Sequence, residues 1–144
     1  MKLMKKKLET IMSLLVKSVL LIWLVLVPLV INGEKYVTIH NDLEGGETLF
    51  VHCKSKDDDP GPNVLAHGQL YEFSFTPHWI GNTAYFCSFQ IEDKCYWFNI
   101  YDYRRDYSYC DHCDWFIHRN GPCKHFKAPG PDCLPWNQDT CKII

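Results

Sequence analysis

Cys110-x2-Cys113, followed by His118, Cys123 and His125, is the densest group of metal-ligating and redox-capable side chains in this chain. Three chemistries use such residues: a tetrahedral zinc site, a reactive dithiol and structural disulfides. The zinc spacing is compressed relative to finger patterns. His118 also lies out of phase with Cys113 on an alternating segment and points to the other face. A reactive dithiol needs a helix N-terminus or a cation to lower a thiol pKa, whereas Cys113 opens a strand-like run. Disulfides are therefore expected, with no metal and no cofactor. Asp57-Asp58-Asp59 suggests calcium, but a calcium loop places carboxylates at alternate positions with Gly at the sixth. Three consecutive Asp fit a solvated acidic turn. The histidines are His40, His52, His67, His78, His112, His118 and His125. None lies in a G-x-S-x-G or H-E-x-x-H pattern, so no catalytic residue is assigned. Asn82-Thr83-Ala84 is the nearest approach to a glycosylation sequon and fails it.

Compartment decides how the cysteines are used. Residues 1–33 hold Lys2, Lys5, Lys6, Lys7 and Lys17 against Glu9, then the apolar run Val19–Val27. A basic start, an apolar run and a small residue before polar sequence describe a signal peptide. Cleavage is expected after Gly33. The rival is an uncleaved anchor, but about 20 apolar residues are reached only by including Lys17 and Pro28. Removing the leader leaves 111 of 144 residues, enough for one domain. The full chain has 15 basic and 17 acidic residues; the leader takes five Lys and one Glu, leaving 10 and 16, a net charge of −6. That balance argues against nucleic acid or an anionic membrane as partner, and against stable membrane insertion of the mature chain. All eight cysteines (Cys53, Cys87, Cys95, Cys110, Cys113, Cys123, Cys133 and Cys141) lie in the mature part. An even count in a short exported chain reads as a disulfide framework.

Elements that position these residues follow from period-two alternation. Tyr36–His40 and Leu49–Cys53 alternate around Glu44-Gly45-Gly46-Glu47, which predicts a β-hairpin over residues 36–54. Lys54–Pro62 is a charged loop with two prolines, through which no strand is expected to run. Further strands are expected around Asn63–Leu65, Tyr71–Phe75, Tyr85–Phe89, Tyr96–Ile100, Cys113–Arg119 and Cys123–Phe126. Turns are expected at Pro77–Asn82 and Asn120-Gly121-Pro122, and a polar connection over Asp102–His112. No helix-period run occurs in the mature chain. The fold class is all-β, a small disulfide-stapled antiparallel β-sandwich of about seven or eight strands, spanning residues 34–126. A Pro- and Cys-containing tail, 127–144, follows as loop. Strand phase pairs Cys53 and Cys87 with members of the Cys110, Cys113 and Cys123 group, while Cys133 and Cys141 are expected to staple the tail to itself or to the body. Trp115, in phase with Cys113 and Ile117, is expected as a core anchor.

His52-Cys53-Lys54-Ser55-Lys56-Asp57-Asp58-Asp59, Phe86-Cys87-Ser88-Phe89, Trp97-Phe98-Asn99-Ile100-Tyr101, Arg105-Asp106 and Cys110-x2-Cys113-x-Trp115 occur in that order between about Val37 and Cys123. This series resembles the plant self-incompatibility S1 family, the S-protein homologues. Pro60-Gly61 and Asn99 depart from its usual residues, and Cys95, Cys133 and Cys141 add to its cysteines. The resemblance implies a small secreted plant protein with a β-sandwich fold, no catalysis and, in the founding members, recognition by a membrane protein. The alternative is a secreted defence protein or enzyme.

A cell-surface membrane receptor is therefore the expected partner, met by a monomer through loops that the sheets leave free. Asp102–His112 interleaves Asp102, Arg104, Arg105 and Asp106 with tyrosines including Tyr107, and Tyr and Arg are enriched at interface hot spots. Lys56 and Asp58, in Lys54–Pro62, form the second candidate contact.

Overall fold

A computed structural model of the chain describes residues 1–31, 33–78, 80–124, 132–139 and 141. It divides into two units, Met1–Gly33 and Glu34–Ile144. The first is the helix α1, Lys2–Ile31. Its Lys2–Leu26 stretch is long and apolar enough to cross a membrane. A signal sequence near the N-terminus has the same form.

The second unit is a β-sandwich. One sheet holds β1 (Lys35–Asn41), β4 (Leu70–Phe75), β7 (His112–His118), β8 (Gly121–Lys124) and β9 (Asp132–Cys133), in the order β4-β1-β7-β8-β9. The other holds β2 (Leu49–Lys54), β3 (Gly61–Leu65), β5 (Ala84–Ile91) and β6 (Lys94–Asp102), in the order β3-β2-β5-β6. The expected strands are present because their alternation puts one apolar face inward: Val37, Ile39, Val51, Phe73, Phe89, Ile100, Trp115 and Ile117 are all core. Among the described residues every strand pairing is antiparallel except β1 with β7, which run parallel with Tyr36 opposite His112 and Asn41 opposite Ile117.

The hairpin expected over 36–54 does not form. β1 pairs with β4 and β7, and β2 with β3 and β5. The segment between β1 and β2 is too long for a tight turn and instead arches from one sheet to the other. Leu43 plugs the core with no exposure, and the Asn41 amide donates to the carbonyls of Glu47 (2.8 Å) and Leu65 (2.9 Å). Two independently alternating strands look the same in sequence whether they pair or face each other across the core. β3 begins at Gly61 and includes Pro62, inside the segment expected to be free of strand. It is an edge strand, where a missing N–H is tolerated. Pro122 likewise lies within β8; its carbonyl accepts from Leu134 N–H at 2.9 Å, on the β9 side.

The disulfide pairing also differs from the expectation. Cys53 joins Cys87, Cys110 joins Cys113, Cys123 joins Cys133 and Cys95 joins Cys141. Cys53 and Cys87 are directly opposite on the neighbouring strands β2 and β5, with Cα atoms 4.0 Å apart. Phase placed both inward correctly, but it cannot tell a lateral neighbour from a partner across the core. Digestion of unreduced protein is expected to release these four linked pairs; a peptide joining Cys53 to Cys110 or Cys113 would contradict the register.

Residues 132–139 and Cys141 pack onto the sandwich. Trp136 packs on Phe89 and Tyr96, ring centroids 5.2 and 5.0 Å away, and donates to Arg119 carbonyl at 2.9 Å. Asn137 N–H reaches Trp97 carbonyl, and Trp97 Nε1 donates to Asp139 carbonyl. This strap runs from β9, at the edge of one sheet, to β6, at the edge of the other. It leaves no period-two pattern, because beyond the two residues of β9 it is held by side-chain anchors and two disulfides. His125, Phe126 and residues 127–131 lie outside the described residues, as does Trp79 in the Pro77–Asn82 turn.

Candidate functional site

Three of the longer loops gather at one end of the sandwich. They are 55–60 between β2 and β3, 76–83 between β4 and β5, and 103–111 between β6 and β7. Strand direction forces this, since β2, β4 and β6 end there while β3, β5 and β7 begin. Both loops expected to carry recognition residues are thus brought to one end, with 76–83 between them in sequence.

Loop 103–111 is ordered by a single helical turn, α2, Tyr103–Asp106. One turn is too short to leave a 3.6-residue signature. Asp102 caps it, its Oδ1 accepting from Arg104 N–H at 2.9 Å. The turn points Asp106 inward. Its side chain has no exposure and accepts from Lys124 Nζ (2.6 Å), Arg105 Nε and Nη2 (2.9 and 2.7 Å) and Asp102 N–H (2.9 Å). Arg105 also donates to Asn99 carbonyl at 2.7 Å. Its guanidinium carbon lies 5.0 Å from the Trp115 ring centroid and 5.2 Å from that of Phe98; Lys124 Nζ is 4.2 Å from Trp115. Burial pushes the Asp106 carboxyl up, but the hydrogen bonds from Arg105, Lys124 and the Asp102 amide outweigh this and hold it below the ordinary carboxylate range.

The structure therefore separates the expected contact residues. Asp106 is inside, and Arg105 is spent largely on it and on Asn99, so these two brace the loop from below. Arg104 and Tyr107 are exposed, and Asp102 is half-buried at the cap. Lys56 is exposed in loop 55–60. Asp58 accepts a 2.7 Å hydrogen bond from Tyr85 Oη, and Ser55 Oγ accepts from the Asp57 and Asp58 amides. Burial and this bond to Asp58 push the Tyr85 phenol well above its ordinary range. Tyr85→Phe is expected to free Asp58 and cost about 1 kcal/mol, read as a lower urea midpoint at unchanged slope.

Sequence reasoning missed the residues that reach this end from elsewhere. Lys35, the first residue of β1, is buried and donates to Tyr107 carbonyl (2.8 Å), Cys110 carbonyl (3.2 Å) and Asp111 (2.7 Å). This holds the Asp111 carboxyl below its usual range. Lys124 was equally invisible, because a lysine at the end of a strand gives no sign of turning inward. The Cys110–Cys113 disulfide closes the loop where it enters β7. Among the described residues no group of three or more His, Cys, Asp or Glu is arranged to hold a metal ion.

The fold and this braced loop end define a small all-β protein held by four disulfides. The family profile described as "Plant self-incompatibility protein S1" matches residues 36–136. This chain belongs to that family. It is 45% identical over 100 residues to S-protein homolog 5 of Arabidopsis thaliana, covering 69% of this chain and 76% of that protein. With S-protein homolog 2 of the same plant it shares 42% over 118 residues, 74% of this chain and 71% of the other. A solved structure of a self-incompatibility protein homologue, from a family described as "small, highly stable, secreted proteins from plants", matches with a TM-score of 0.57 at 16% identity. It covers 74% of this chain and 97% of its own, and it supports the same fold. The family match extends to Trp136, ten residues past the domain end expected from strand periodicity.

Proposed function

We propose that the mature chain is a secreted, non-catalytic plant recognition protein, a ligand for a cell-surface membrane protein, whose contact lies at the three-loop end. Secretion rests on the basic, apolar leader, the eight oxidised cysteines and membership of a family described as secreted. The single observation that carries the recognition reading is the bracing of loop 103–111. A buried carboxylate, two inward-turned cations, a capping Asp and a disulfide fix a loop whose outer surface is Arg and Tyr. Fixing a loop in advance lowers the entropy cost of binding. A catalytic site would instead leave a perturbed acid or base facing a cleft, whereas Asp106 is saturated by its partners.

Secreted material is expected to begin at or within a few residues of Glu34, read by N-terminal sequencing; material retaining Met1–Gly33 in a membrane pellet would return the anchor reading. The ligand reading is tested by saturable, competable binding of the labelled mature chain to plant cell membranes. Binding that never saturates would reject it.

A further inference from the structure

We infer that the contact surface is composite: Ile80 of loop 76–83 joins Tyr103, Arg104, Tyr107 and Tyr109 of loop 103–111 in one apolar, singly cationic patch. It fits a protein segment that presents an apolar side chain beside a carboxylate. This deepens the ligand reading and rests on it.

Contact between the two loops is direct. Tyr103 N–H donates to Thr83 carbonyl at 3.0 Å. The Tyr103 ring lies against Gly81, where an added Cβ would come within 2.8 Å of the ring; the φ of +75° there also favours glycine. Tyr107 stacks on Tyr103 at 4.4 Å, and Lys35 Nζ lies 4.7 Å from the Tyr107 ring centroid. The chain of contacts therefore runs from loop 76–83 through two stacked rings to a buried lysine. Upon this base Ile80 is 63% exposed, Tyr107 41% and Tyr109 77%. An exposed isoleucine beside two tyrosines exposed on a braced loop is what an interface core needs, large area at low entropy cost.

Charge selects the partner. Arg104 is exposed and makes no ion pair among the described residues, whereas Arg105 is committed to Asp106 and Lys35 to Asp111. The mature chain is otherwise acidic, with 16 acidic against 10 basic residues once the leader's five Lys and one Glu are taken from 17 and 15. A free cation in an acidic molecule steers an acidic segment to this corner and disfavours a basic one. Another exposed apolar area among the described residues, Phe50 of β2 and Val64 of β3, serves as the control surface.

The experiment measures binding of the labelled, disulfide-intact mature chain to plant plasma-membrane vesicles, to the same vesicles after surface proteolysis, and to phosphatidylcholine vesicles containing phosphatidylserine. The expected result is saturable binding to the intact vesicles alone. Ile80→Ser, Tyr109→Ser and Arg104→Glu should each weaken it at least tenfold at unchanged melting temperature, Arg104→Lys much less, and Phe50→Ser not at all. Raised salt should weaken the parent and not Arg104→Glu. Patch variants that bind like the parent would overturn this surface while leaving the ligand reading intact. Binding to the lipid vesicles, or survival after proteolysis, would overturn a protein partner. Absence of saturable binding by the parent would remove both proposals.

Discussion

Asp106→Ala is expected to destabilise the domain by about 3–5 kcal/mol, the cost of removing one member of a buried ion pair and stranding its partners. Three donors lose an Asp106 oxygen at once: Lys124 Nζ, the Arg105 guanidinium and Asp102 N–H. Lys124 is 6% exposed, so water replaces little of what it loses. As exposed contact residues, the role their loop suggests from sequence, Arg105 and Asp106 would be removable with little effect on folding. Burial of Asp106 reverses it. The contribution also has a pH signature. A carboxyl whose folded pKa is depressed stabilises above its unfolded pKa of about 3.9 and loses that contribution as pH falls through the folded value. Denaturant midpoints of the parent should therefore fall on acidification below about pH 4, and those of Asp106→Asn should fall less. Equal profiles would show that the carboxylate is not the linked group.

Trp115→Ala is the second large effect, expected at about 3–5 kcal/mol. Trp115 is fully buried in β7, with Phe98 edge-on at 5.1 Å. Truncation would open a cavity and remove the ring over which Lys124 and Arg105 are placed, adding the loss of cation–π attraction to the transfer term. Trp115→Phe should restore part of the loss. A melting temperature for Trp115→Ala equal to the parent's would mean the strand phase is wrong. The two sites share Arg105 and Lys124, so the double variant Asp106→Ala/Trp115→Ala should lose less than the sum of the singles.

Alternation made the strands legible, and with them the inward phase of Cys53, Cys87, Cys113 and Trp115. It did not reveal which strands are neighbours. A period of two records only which face is buried, and both sheets bury one. Hence β1 and β2 looked like a hairpin, and Cys53 looked like a partner for the Cys110 group. At the loop end, Arg104 and Tyr107 were chosen on residue type and are exposed. Asp106 was chosen on the same grounds and is buried, because a single helical turn decides which of two adjacent charged residues points inward. Lys35, Lys124 and Tyr85 were missed for a related reason. Their roles come from tertiary partners tens of residues away, and no local pattern encodes them.

The parallel pairing of β1 with β7 has a consequence for how the chain acquires its fold. Residues 36–41 are the first strand to emerge from the ribosome, yet one of their two neighbours is residues 112–117. Contacts of such long sequence separation close a large loop before they return any free energy, which slows folding. β1 must therefore wait, with one edge open, until most of the domain has crossed the membrane. A chain interrupted before His112 would leave that central strand with β4 alone as a partner and Lys35 without the Tyr107 and Cys110 carbonyls only where the break precedes them. Native disulfide formation at Cys123 and Cys95 comes later still, since their partners, Cys133 and Cys141, are the last two cysteines to enter the oxidising compartment.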